Sequence, residues 1–129
     1  MKKLIILVLA ALLLTACGQT KEKDREEIYM NITAQEAKVL MDTEKDYVIL
    51  DVRTQEEYDQ GHIPGAILIP DTEIEDRAEG ELTDKDQLIL VYCRSGRRSK
   101  LAAQSLVELG YTNIREFGGI IDWPYEIEK

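Results

Sequence analysis

An apolar pentapeptide, Leu88-Ile89-Leu90-Val91-Tyr92, runs without a break into Cys93-Arg94-Ser95-Gly96-Arg97-Arg98-Ser99. A stretch of helical character, Ser99 to Leu109, follows and Gly110 stops it. This order constrains the fold more than any other feature of the chain. An unbroken apolar run of that length reads as a strand buried on both faces, and such strands belong to parallel sheets covered by helices. A strand that feeds a short Gly-containing loop opening a helix also gathers backbone N–H groups around an anion. Cys93 opens that loop, and three arginines lie within it. Cations and a helix N-terminus both favour thiolate over thiol. The segment therefore reads as a nucleophile that handles an anionic substrate.

The flanking sequence supports the same architecture. From Ile32 onward strand-like and helix-like segments alternate, which predicts an α/β fold with a mainly parallel sheet. Thr33 with Glu36 forms a capping box, and Ala37, Leu40 and Met41 give the helix one apolar face. Tyr47 to Val52 reads as a buried strand. Thr54 with Glu57 is a second capping box, opening a short helix that Gly61 closes. Pro64-Gly65 marks a tight turn before a strand at Ile67-Leu68-Ile69, and Asp71 to Ala78 predicts a weak acidic helix. The helix after the Cys93 loop is expected to turn Leu101, Ala102, Leu106 and Leu109 inward. Asn113 to Phe117 reads as the last strand, ahead of Gly118-Gly119 and a turn or helix around Trp123.

The start of the chain carries a different pattern. Met1-Lys2-Lys3 is a basic n-region, Leu4 to Leu14 is continuously apolar, and Leu14-Thr15-Ala16-Cys17 follows. The apolar run is short for a membrane span, so residues 1–16 read as a cleaved export signal. Leu-Thr-Ala-Cys resembles the bacterial lipoprotein box, which implies cleavage before Cys17 and acylation of that residue. Residues 17–30 then form a lipidated cysteine with a charged tether, and residues 31–129 the folded domain. Two acyl chains suffice for stable anchoring where one is marginal. The expected location is the bacterial envelope, lipid-anchored and facing away from the cytoplasm.

The chain carries a formal charge of −9, and loss of Lys2 and Lys3 makes it more acidic still. That composition argues against nucleic acid as a partner. The chain has two cysteines. With the sulfur of Cys17 in a thioether, Cys93 has no disulfide partner. One histidine and no Cys/His cluster argue against a metal site, and no cofactor is expected.

Five motifs in sequence converge on one family. Asp51-Val52-Arg53, Glu57-Tyr58, Gly61-His62-Ile63-Pro64-Gly65-Ala66, the Cys93 to Ser99 segment, and Gly118-Gly119 with Trp123 resemble a single-domain rhodanese over residues 31 to 126. The resemblance implies a five-stranded, mainly parallel sheet flanked by helices, with the site at the C-terminal end of a strand. It further implies a sulfurtransferase in which Cys93 attacks the outer sulfur of thiosulfate or another sulfane donor. A persulfide forms and passes its sulfur to cyanide or a thiol. Arg94, Ser95, Gly96, Arg97, Arg98 and Ser99 would bind the donor and stabilise the persulfide, with Arg94 and one of Arg97 and Arg98 serving the donor. Cys-x4-Arg, from Cys93 to Arg98, suits sulfur transfer. Phosphatases and arsenate reductases of similar fold use Cys-x5-Arg, and Ser99 stands where their arginine would be. Those activities and a non-catalytic binding module are the alternatives. Asp51 and Arg53 read as an ion-pair network bracing the active loop and Glu57, and His62 as a turn-stabilising residue. Trp123 is expected to pack the last helix. The partners implied are a small anionic donor, a thiol or cyanide acceptor and a membrane reached through the lipid, with the protein a monomer.

Overall fold

The computed structural model describes residues 29–129, so the signal at 1–16 and all of the tether except its last two positions lie outside the described residues. Among those described, no helix is long and apolar enough to cross a membrane. Strands β1 (Met30–Asn31), β2 (Tyr47–Asp51), β3 (Ile67–Leu68), β4 (Leu88–Cys93) and β5 (Ile114–Gly119) alternate with helices. The helices are α1 (Ala34–Thr43), α2 (Gln55–Gln60), α3 (Ile74–Glu81) and α4 (Arg97–Glu108). All five strands pair in parallel, in the order β1-β5-β4-β2-β3.

Both capping boxes form. Thr33 Oγ1 accepts from the Glu36 N–H at 3.0 Å while Glu36 Oε1 accepts from the Thr33 N–H at 2.9 Å. Thr54 and Glu57 exchange the same pair of bonds. Each box satisfies N–H groups that a helix start leaves without partners, worth about 1 kcal/mol.

β4 is the centre of the sheet, and all six of its residues are buried. Ile89, Val91 and Cys93 face a core built with Leu50, Ile74, Ala102 and Leu106. Leu88, Leu90 and Tyr92 face a second core with Ala37, Ile49, Ile63 and Phe117. The period-2 alternation of a strand thus divides one apolar run between two layers, which is why the run shows no polar residue.

Three expectations are corrected. Met30 belongs to β1, so the folded part begins inside the segment read as tether. Helix α4 starts at Arg97, two residues before the expected Ser99. Its buried stripe is Ser99, Ala102, Ala103 and Leu106, an i, i+3, i+4, i+7 set, and Leu101 is 58% exposed. Leu101 lies well round the helix from the middle of that stripe, and the inward positions hold small residues that bring α4 close to the sheet.

Candidate active site

Cys93 is the last residue of β4 and is fully buried. The chain then turns sharply through Gly96, whose φ of +106° lies in the left-handed region that favours glycine. Gly96 is the N-cap of α4 and supplies no side chain to the cap. The N–H groups at that end point at the sulfur instead. Gly96 N–H donates to Cys93 Sγ at 3.0 Å and Ser99 N–H at 3.3 Å. A thiolate gains from both bonds and from the helix dipole behind them.

The outer wall of the loop is β5. A Cβ on Gly119 would lie 2.0 Å from the Arg94 carbonyl oxygen and 2.5 Å from Ser95 Cα, so only glycine permits this approach. The Ile121 N–H donates to that same carbonyl at 3.2 Å. Between β4 and β5 the register shifts: Val91 pairs with Glu116, but Cys93 pairs with Gly119. The extra residue on β5 is accommodated around Gly118, at φ +89°. Irregularities of this kind re-aim groups beside a site.

The three arginines have separate fates. Arg98 is locked to Glu57 by two parallel bonds, Nη1 to Oε1 at 2.7 Å and Nη2 to Oε2 at 3.0 Å. The Arg98 hydrogen bonds, with help from Thr54, hold the Glu57 carboxyl down at about 2 despite partial burial. Arg94 and Arg97 are exposed and carry no ion pair among the described residues. Arg94 lines a cleft of about 270 Å³ with Arg53, Glu57, Gly61, Ile121 and Ile127. A larger cleft of about 440 Å³, lined by Lys38, Met41, Trp123 and Tyr125, holds neither Cys93 nor any residue of its loop.

A cysteine at a parallel strand's C-terminal end, cradled by N–H groups and rimmed by arginines, coincides with what the family comparison finds. The model of the rhodanese-like domain matches residues 33–124. The chain belongs to the rhodanese-like domain family. It is 42% identical over 73 residues to the thiosulfate sulfurtransferase PspE of Escherichia coli, covering 57% of this chain and 70% of that protein. It is 39% identical over 98 residues to the putative sulfur carrier protein YrkF of Bacillus subtilis, covering 75% of this chain and about half, 52%, of that one. The solved structure described as a rhodanese with anions from E. coli superposes with a TM-score of 0.61 at 38% identity. It covers 64% of this chain and 98% of its own.

Within this rhodanese-like domain, the remaining sequence-predicted residues are not all at the sulfur. Asp51 and Arg53 form a buried pair, Arg53 Nη2 to Asp51 Oδ2 at 2.7 Å, and Arg53 also donates to the Gly61 carbonyl at 2.7 Å. The Tyr92 hydroxyl donates to Asp51 at 2.6 Å and accepts from the Ile63 N–H at 3.0 Å. Burial and then the Asp51 charge push the Tyr92 phenol well above its ordinary value. The network therefore braces the turn from Gly61 to Ile63. The expectation that it also braces Glu57 is corrected: Arg98 holds Glu57, because its guanidinium reaches across from α4. His62 stacks on Tyr58 with ring centroids 3.8 Å apart, its Nδ1 is 2.9 Å from the Tyr58 carbonyl, and its backbone bridges to Glu128. Trp123 packs against Phe117 and Tyr125.

Sequence reasoning missed Glu116. It is 1% exposed, and its carboxylate accepts from Ser99 Oγ at 2.5 Å and from the Gly118 N–H at 2.9 Å. A glutamate in a strand reads as solvent-facing. The available signal was parity, since Ile114 and Glu116 sit two apart and must share a face.

Proposed function

We propose that this protein is an envelope-tethered sulfurtransferase that moves a sulfane sulfur from thiosulfate or a related anionic donor to a thiophilic acceptor through a persulfide on Cys93. The observation that carries the reading is the pair of N–H groups, from Gly96 and Ser99, directed at Cys93 Sγ. The names of relatives support sulfur transfer as the reaction class.

In the first half-reaction the Cys93 thiolate attacks the donor's outer sulfur. A new S–S bond forms, the donor's own S–S bond breaks, and its electron pair leaves with sulfite. In the second, cyanide or a thiolate attacks the outer sulfur of the persulfide, and the electron pair returns to Cys93 Sγ. Such a sequence gives ping-pong kinetics. Loop N–H groups stabilise the persulfide anion as an oxyanion hole stabilises oxygen. Arg94 and Arg97, free of carboxylate partners among the described residues, attract the donor, while Arg98 with Glu57 holds the loop in shape. Because Cys93 is fully covered, donor entry requires part of the loop to move aside.

The loop supports a sulfur site over the wider oxyanion loop of a phosphatase or arsenate reductase. Ser99, where such a loop would place arginine, turns its hydroxyl inward to Glu116. The reading of residues 1–16 as a lipoprotein signal with acylation at Cys17 supplies the tether, and Cys17→Ala is expected to release the protein or leave the precursor uncut.

Incubation with thiosulfate should add the mass of one sulfur atom to the protein, and Cys93→Ser should abolish both the adduct and turnover. Absence of an adduct with every sulfane donor tried, or turnover of phosphate esters or arsenate in its place, would overturn the assignment. A cellular phenotype that persists in Cys93→Ala would point to a binding module.

A further inference from the structure

The Ser99 hydroxyl has one hydrogen and several acceptors around it. Glu116 Oε2 lies at 2.5 Å, the Gly96 carbonyl at 3.1 Å, the Gly118 carbonyl at 3.4 Å and Cys93 Sγ at 3.4 Å. A bond to an ionised carboxylate is about twice as strong as a neutral one, so the hydrogen goes to Glu116. What Ser99 then offers the sulfur is an oxygen lone pair. A thiol can donate its hydrogen to that lone pair. A thiolate cannot, and it meets both the lone pair and the carboxylate's negative charge beyond it.

We propose that Glu116 is a positioning residue: by fixing the Ser99 hydroxyl it opposes the loss of the Cys93 proton, against the N–H groups that favour it. The inference rests on Cys93 as the nucleophile of the proposed reaction. It concerns the bare cysteine, because in the persulfide the negative charge moves to the outer sulfur, one bond farther from Glu116.

Charged groups of both signs lie on the elements around the loop. The loop contributes Arg94 and the N–H groups of Gly96 and Ser99, and α4 contributes Arg97, Arg98 and Lys100. From α2 Glu57 neutralises Arg98, and Asp71, ahead of α3, also acts on Arg98. At the end of β2 the Asp51 charge is matched by Arg53. From β5 comes Glu116, whose other oxygen is 3.3 Å from Lys100 Nζ. Glu116 is thus the buried acid on the sulfur's side of α4, and exposed Lys100 is its counterion.

The test is a titration of the thiolate's ultraviolet absorbance against Cys93→Ser as reference, on the folded protein with no sulfur donor present. Failure of this inference is therefore separable from failure of the sulfurtransferase reading, which the persulfide adduct decides. Glu116→Gln is expected to lower the thiolate midpoint by about one pH unit, a roughly tenfold gain in thiolate at a pH below it. Lys100→Met, which strips the carboxylate of its counterion, is expected to raise the midpoint, and to raise it less when Glu116→Gln is also present. A folded Glu116→Gln protein whose midpoint is unchanged or higher overturns the proposal. Should that variant fail to fold, Ser99→Ala replaces it. Removing the hydroxyl takes away the thiol's acceptor, so the midpoint falls if the proposal holds and stays if it does not.

Discussion

Two strand-to-helix junctions lie side by side at the C-terminal edge of the sheet, one leading from β2 into α2 and the other from β4 into α4. At the first, Thr54 and Glu57 satisfy the helix's free N–H groups with their own side chains. Arg53 is consumed by Asp51 and by the Gly61 carbonyl. At the second, the N-cap is a glycine without a side chain, and the N–H groups converge on Cys93 Sγ. Two of its arginines have no carboxylate partner among the described residues. The same order of strand, loop and helix thus yields a brace where an extended Thr54 closes the helix end with side chains, and an open cradle where a left-handed Gly96 leaves the N–H groups to the sulfur.

The contrast can be broken from either side. The largest effect is expected at the brace. Asp51→Ala strands a guanidinium that is 5% exposed and leaves the Tyr92 hydroxyl without its acceptor, which should cost about 3–5 kcal/mol in denaturant unfolding. A loss below about 1 kcal/mol would mean that water reaches Arg53 and the brace is unimportant. Next is Gly119→Ala. Its Cβ overlaps the Arg94 carbonyl, so the loop must shift by about 1 Å, and sulfur transfer should fall by roughly 100-fold while the domain stays folded. Activity close to that of the unaltered protein would show that the cradle tolerates displacement. Arg94→Ala and Arg97→Ala should each raise KM for thiosulfate about tenfold with little change in kcat, and the effect should shrink as salt is added. If Arg98→Ala alone raised KM, the division between free and braced arginines would be wrong. The smallest effect belongs to Thr54→Ala, which should cost about 1 kcal/mol of stability and leave the rate of transfer unchanged. A marked loss of transfer would tie the two junctions together through Glu57 and Arg98.

Local features of this fold could be read from residue order because local chemistry determines them. The two Thr-x-x-Glu boxes, the apolar run of β4 and the glycine turn after Cys93 each depend on neighbours in sequence, and each forms. Edge strand β1 could not be read, because Met30 and Asn31 have no apolar alternation and become a strand only by pairing with Arg115 and Glu116. The partner of Arg98 was equally hidden. Glu57 lies 41 positions away, and several acidic residues were candidates until α2 and α4 met. Leu101 was misread for a related reason: a large apolar residue was given the inward face that small residues occupy. Glu116 was passed over because polarity alone gives a charge in a strand no inward role, and only its place in the alternation does.

The cradle draws on both ends of the domain's second half. Cys93 and Gly96 precede α4, whereas Glu116, Gly118 and Gly119 follow it on β5. A chain that emerges from its N-terminus during synthesis or export therefore presents the cysteine long before the cradle around it can close. Through that interval the sulfur has no facing carboxylate, and its loop has no β5 wall to pack against. The N–H groups that converge on the sulfur arrive with α4, and the carboxylate that faces it from behind Ser99 arrives only with the last strand.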